Sequence, residues 1–489
     1  MNKLRITQQE YRRRRERLAE MMEPNSIAIV QAGKLVTRSR DTEFPFRQNS
    51  NFWYLTGFPE QDALMVFLPG REHGEFILFC RERDPQKEIW DGKREGPAGA
   101  CARYGADDAF PIDDIDDILP GLIEGRERIY HSLGKDHGFD QQVLDWVNRI
   151  RARVRAGAQS PGEFLDLDHL VSDMRLYKSA AELRVMQAAA DISAEAHKQA
   201  MRLAPSAENE AELEALIRYE CARAGGRFQA YHPIVGGGDN ACILHYIEND
   251  AKLKTGDLVL IDAGCELQYY ASDITRTFPV SGKFSQEQKQ IYELVLRAQL
   301  AAIKEVKPGN HWDEPHLASV RVITQGLIQL GLINTDFEEA IQNELYKAFY
   351  MHRIGHWIGL DVHDVGDYKV GGEWRVLEPG MVMTVEPGIY IAADNHNVDK
   401  KWRGIGVRIE DDVAVTKTGS KILTKNVPKT VKDIEALMKA SVTKKAKRVK
   451  PAAAKKTRPT SSARSKVASI KSAKPAETKR AKKSVSKAG

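Results

Sequence analysis

Hydrophobic positions along this chain follow two rhythms. One recurs near every 3.6 residues and marks amphipathic helices; the other alternates, or runs apolar over a few residues, and marks strands. A capping box at Thr7-Gln-Gln-Glu10 opens a helix through Tyr11, Leu18 and Met22. Strands are predicted at 26–30, 63–68, 75–80 and 128–131, and helices at 113–122 and 139–151. Residues 41–57, between the first two strands, are dense in aromatic and hydrogen-bonding side chains. The alternation predicts a small α/β domain over 1–172.

The rhythm then changes. A second capping box, Ser179-Ala-Ala-Glu182, starts a long helix to about residue 200, and another helix is predicted from Ala204-Pro205-Ser206 to Gly225-Gly226. Strands follow between 228 and 280. Ser285-Gln-Glu-Gln288 caps a third long helix, 316–330 forms a fourth, and strands return at 381–392 and 404–416. Helix, helix, strands is met twice, which predicts an α+β domain over 173–440 made of two similar halves, closed by a helix at 430–440. Residues 441–489 shift to Lys, Ala, Ser, Pro and Arg, with large apolar side chains too sparse to pack; a disordered tail is predicted there.

Charge sharpens that division. The net +5 conceals a tail with 17 Lys and Arg against the single acid Glu477, and a body of 56 basic and 67 acidic residues. The tail predicts salt-sensitive, sequence-indifferent contact with nucleic acid; the alternative is a solvated tail with no dedicated partner. No apolar run approaches the ~20 residues of a membrane span, and the N-terminus shows no apolar signal core. Five scattered cysteines form no metal or disulfide pattern and read as reduced thiols, so a cytoplasmic protein is expected.

Candidate chemistry begins at 351–364, where three of the 13 histidines, His352, His356 and His363, stand among apolar residues and glycines. Isolated acids in apolar strands accompany them. Asp262 interrupts Leu258-Val-Leu-Ile, and Asp273 lies in the next strand, 270–277. A hairpin turning between Leu267 and Gln268 would set the two carboxylates directly opposite, with Cβ atoms ~5 Å apart. Such a pair needs a cation or a shared proton; the alternative is a slipped register that turns one acid to solvent. Glu386 in Thr-Val-Glu-Pro-Gly and Glu410 in Arg-Ile-Glu-Asp repeat the pattern. Four carboxylates and one imidazole, His356, suit two hard divalent ions such as Mn²⁺ better than a Cys- and His-rich zinc site. Metal-assisted hydrolysis is the reaction class.

These positions, in Ile261-Asp262-Ala-Gly264, Ser272-Asp273-Ile-Thr275-Arg276-Thr277, His352-Arg-Ile-Gly-His356, Thr384-Val-Glu386-Pro-Gly388 and Arg408-Ile-Glu410-Asp411, resemble the metal site of the pita-bread metallopeptidases, which include methionine aminopeptidase, prolidase and aminopeptidase P. Residues 41–57 and Glu88-Ile-Trp90-Asp-Gly92 resemble the N-terminal domain of bacterial-type aminopeptidase P. The resemblance implies a pita-bread domain behind a smaller α/β domain. It implies two divalent ions, with Asp262 bidentate on one, Asp273 and Glu410 bridging, His356 and Glu386 completing the shells, and Glu386 taking the proton from a bridging water. His245 and His363 would orient the substrate, Arg408 would brace the site and His352 would flank it. For His245 alone a core role is as natural, and Tyr231 fits a pocket wall or a core position equally. His232 and Trp357 match less clearly and read as structural.

Aminopeptidase P removes a free N-terminal residue that precedes proline; prolidase cleaves dipeptides ending in proline. Residues 41–57 and the 354–364 run look closer to aminopeptidase P, so that activity is expected, with prolidase, and then a metal-free binding module, as alternatives. The resemblance also implies a homo-oligomer, dimer or tetramer, in which Asp41 and Trp90 act on a neighbour's site.

Overall fold

The computed structural model describes residues 4–448. A six-stranded sheet organises the first third. From edge to edge it runs Asp108–Pro111, Phe76–Cys80, Leu64–Phe67, Ser26–Gln31, Arg128–His131 and Glu163–Asp166. Its central strands are buried on both faces, which explains why they read as apolar runs, while the edge strands Asp108–Pro111 and Glu163–Asp166 are only partly covered. Ile27, Ile29, Val66 and Phe79 pack on one side against the helices Ile115–Ile123 and His137–Arg151. Ala28, Val30, Met65 and Leu78 face the other side, towards Gln8–Met21 and Ser50–Thr56. This second core continues into Tyr270, Ile358, Leu360 and Val382, so the N-terminal layer and the loops of the later domain share buried surface.

The repeat expected in 173–440 is present. Ala180–Leu203 pairs with Glu210–Arg223, followed by the antiparallel strands Ile234–Gly237, Leu258–Asp262 and Thr275–Pro279. Gln286–Glu305 pairs with Glu314–Gln329, followed by Val382–Val385, Asp411–Val415 and Ser420–Ile422. The largest core, from Ala189 to Met438, joins the helix faces to strand residues such as Ile261, Ile389 and Val407, while Met383, Val385 and Val413 pack in a smaller cluster with Trp312 and Trp357.

Four local expectations change. The second helix of the repeat does not start at Ala204. Ala204–Ser206 is one tight turn, and the helix begins after Asn209, whose side chain accepts the Glu212 N–H at 3.0 Å. Residues 41–57 contain the helix Ser50–Thr56, capped by Asn49 and stopped by Gly57 at φ 64°. The helices Pro85–Asp91 and Gly96–Tyr104 escape the hydrophobic pattern because they are short and only lightly buried. The last helix, Val431–Arg448, runs past the boundary set by composition at 441. The tail reading for 449–489 lies outside the described residues.

The register between the two acidic strands is also corrected. The turn falls at Gln268 and Tyr269, both at positive φ, rather than between Leu267 and Gln268. Asp262 therefore faces Thr275, not Asp273. The shift is two residues, and side chains alternate with period two, so both acids still point to the same face as diagonal neighbours.

Candidate active site

Strand ends bring the acids together. Asp262 closes its strand, Glu386 follows Val382–Val385 and Glu410 follows Ile405–Arg408. Asp273 precedes Thr275–Pro279. His356 is set by a neighbouring strand. Its backbone N–H donates to Thr384 Oγ1 at 3.0 Å, and its carbonyl accepts from the Thr384 N–H at 2.9 Å. Gly355 is needed there, because a Cβ would lie 2.1 Å from the Thr384 carbonyl oxygen.

The five side chains line one cavity of about 470 Å³, together with Tyr231, His245, His352, His363 and Arg408. Asp273, His356 and Glu410 each offer a ligand atom, all within 4.8 Å of one another. His356 Nε2 lies 3.5 Å from Asp273 and 3.6 Å from Glu386. Tyr231 Oη donates to Asp262 Oδ1 at 2.6 Å and also contacts Asp273 Oδ1. A phenol has one proton, so it satisfies one of the two carboxylates at a time.

Electrostatics reports the crowding. Burial, then the neighbouring Asp273, Glu386 and Asp262, holds the Glu410 carboxyl well above its usual range. Burial lifts Glu386 to about 7 against the pull of His356 and Arg408. Burial opposes the charged form of His356, but the Asp273 hydrogen bond and Glu386 raise it to about 9. Carboxylates pressed together in this way are relieved by cations between them. The donor set is four hard oxygen ligands and one imidazole, which fits divalent ions.

A hydrogen-bonded chain backs the cavity. Arg408 Nη2 donates to Asp262 Oδ2 at 2.7 Å, Nη1 to Tyr390 Oη at 3.1 Å and Nε to Thr275 Oγ1 at 3.1 Å. Thr275 Oγ1 donates a hydrogen bond to Glu410 Oε2 at 2.6 Å. His352 is placed at the wall with both ring nitrogens engaged. Nδ1 meets the Arg353 carbonyl at 2.8 Å and must carry the proton; Nε2 then accepts from Tyr390 Oη at 2.8 Å. It flanks the cavity without a free nitrogen.

Of the positions expected at the site, Asp41 and Trp90 alone do not line the cavity. Asp41 sits between the short strands Thr37–Ser39 and Thr42–Glu43, and Trp90 is 87% exposed. His232, read as structural, lines the cavity. Trp357 is buried and stacks on Tyr368, as a structural residue should. Tyr390 and Thr275 were missed as part of the site. Their signal was faint: each is a hydroxyl on a buried strand adjoining a stranded acid.

A buried carboxylate and imidazole cluster framed by two similar half-domains is the arrangement of a metallopeptidase. The model of metallopeptidase family M24 matches residues 184–417, and that of the aminopeptidase P N-terminal domain matches residues 11–130. The Xaa-Pro aminopeptidase of Escherichia coli (strain K12) is 44% identical over 437 residues, spanning 89% of this chain and 99% of that protein. Pseudomonas aeruginosa aminopeptidase PepP is 62% identical with a TM-score of 0.89, covering 90% of this chain and 100% of that one. Zinc-substituted E. coli aminopeptidase P in complex with product is 44% identical with a TM-score of 0.86, covering 89% and 99%. The chain belongs to the aminopeptidase P family, a pita-bread metallopeptidase domain preceded by an α/β N-terminal domain.

Proposed function

We propose that this chain hydrolyses the bond between an N-terminal residue and a penultimate proline, with two divalent ions, Mn²⁺ as the expected metal, held by Asp262, Asp273, His356, Glu386 and Glu410. The observation that carries the reading is the convergence of these five donors with His245, His363 and Arg408 in one cavity. The relatives that match along both domains are Xaa-Pro aminopeptidases, which favours this specificity over a prolidase. Bound divalent ions would acidify a water and polarise the scissile carbonyl.

The protein's own groups supply the rest. Glu386, whose carboxylate lines the cavity, accepts a proton and returns it to the leaving nitrogen. Arg408 fixes Asp262 and, through Tyr390, the cavity wall. His245 and His363 face the cavity and orient the substrate carbonyl and the proline side. The acidic ring attracts the free ammonium of a peptide N-terminus. Reduced cysteines fit a cytoplasmic enzyme.

Two further readings belong to the surface. Ile89 and Trp90, 81% and 87% exposed, suit burial against a second copy of the chain, with Asp41 and Trp90 reaching its site from outside. The basic tail suits sequence-indifferent contact with nucleic acid. The deciding assay for specificity compares Gly-Pro with Gly-Pro-Pro after Mn²⁺ loading. Cleavage of the tripeptide supports the aminopeptidase; cleavage of the dipeptide alone assigns a prolidase.

A further inference from the structure

The helix Ser50–Thr56 of the N-terminal layer lies over the loop that carries His356 and His363, and the contact is polar, buried and specific. Arg175, on the connecting helix Asp168–Leu176, is 3% exposed. Its Nη1 donates to Asn51 Oδ1 at 2.7 Å, and its Nη2 to Asp364 Oδ1 at 2.5 Å and Asp361 Oδ2 at 2.7 Å. Asn51 Nδ2 donates to Asp168 Oδ1 at 2.8 Å. Ser50 Oγ donates to Asp361 Oδ1 at 2.7 Å, and Arg47 Nη2 to the Leu360 carbonyl at 2.6 Å. From the opposite side Lys178 Nζ donates to Asp364 Oδ2 at 3.0 Å. The turn is packed to contact: a Cβ on Gly359 would stand 2.2 Å from Asp364 Oδ2.

This brace grips residues 360–364 and leaves His356 to its own anchors on Thr384. His363 has no equivalent. Its ring meets the His356 ring edge-on, with centroids 4.3 Å apart, and among the described residues no hydrogen bond holds it. What holds it is the backbone that carries it, anchored by Asp361 and Asp364 on either side. Arg175 and Asp364, 3% and 1% exposed at their side chains and each satisfied by several partners, form a rigid support rather than a solvated surface pair, with the more open Asp361 at its rim.

We propose that the N-terminal layer positions His363 from within the same chain, with Arg175 and Asn51 as positioning residues for the peptide's carbonyl side. The inference deepens the aminopeptidase reading and rests on it for the role of His363. It gives the polar block at 47–51 a task distinct from any contact with a neighbouring copy.

The test uses the full-length, Mn²⁺-loaded chain and three variants: Asn51→Ala, Arg175→Ala and Arg175→Lys. Amide hydrogen exchange and turnover of Gly-Pro-Pro are measured together with metal content. The expected result is about tenfold faster exchange confined to 359–364 in Asn51→Ala, with about tenfold lower kcat, little change in KM and unchanged metal. Arg175→Ala goes further and regains turnover with added guanidinium; Arg175→Lys lies between it and the wild type. Exchange that is unchanged at 359–364, or raised equally across both domains with activity tracking the folded fraction, overturns the proposal. If the wild type does not cleave Gly-Pro-Pro, the aminopeptidase reading fails, while the exchange pattern still decides whether the brace exists.

Discussion

Glu386 concentrates the chemistry at the scale of single residues. Burial lifts its carboxyl to about 7, and a divalent ion beside it would draw it down again and leave a carboxylate ready to take a proton from water. Glu386→Gln should lower kcat by about 10²-fold or more without unfolding the protein, as steady-state rates beside a thermal melt would show. His197 makes a separate prediction. It is fully buried and its Nε2 donates to the Ala263 carbonyl at 2.8 Å, beside Asp262. Burial lowers it from 6.5 to about 4. The unfolded chain therefore binds the proton first, and stability falls as pH drops from 6.5 towards 4, by about 3 kcal/mol over the window. His197→Gln, which keeps a donor and loses the titration, should flatten that part of the Tm–pH curve; an equal slope in both proteins would refute it. The acids were legible because each stands in or beside an apolar strand with no basic residue obviously set to pair with it, whereas the buried Asp411 is neutralised by Arg276 and Lys429. His197, Tyr390 and Thr275 were not, because each looks like an ordinary helix or strand residue until its partners are placed around it.

At the scale of elements, capping boxes at Ser179 and Ser285 located two long helices almost to the residue, since those caps are formed by local sequence. The helices Pro85–Asp91 and Gly96–Tyr104 were illegible for the opposite reason: caps and neighbours, not a hydrophobic face, define them. The acidic hairpin shows how a wrong register left the site intact. The two-residue error kept the parity of the strands, so the shared face of Asp262 and Asp273 survived. What fixes the true register includes Gly264, where a Cβ would lie 1.7 Å from the Ser272 carbonyl oxygen. Gly264→Ala should cost about 3 kcal/mol and reduce metal content with it; a variant with wild-type Tm and full metal would show that the strands can spread there.

At the scale of the whole molecule, one chain joins an acidic body to a basic terminus. The charge contrast was plain from sequence, whereas the brace between the N-terminal layer and the His363 loop was not, because it joins residues more than 180 positions apart. Deleting 449–489 should leave kcat/KM for a proline-second peptide unchanged and abolish salt-sensitive retention on immobilised DNA; equal retention of both forms would remove the nucleic-acid reading. Hydrolysis before proline should depend on a divalent-metal centre. Titration of metal-stripped protein with Mn²⁺, with mass spectrometry following the products of Ala-Pro-Phe, measures that dependence. Free alanine alone should be released, rising to a plateau at two ions per chain. Cleavage after the proline, or release of alanine independent of added metal, would contradict it.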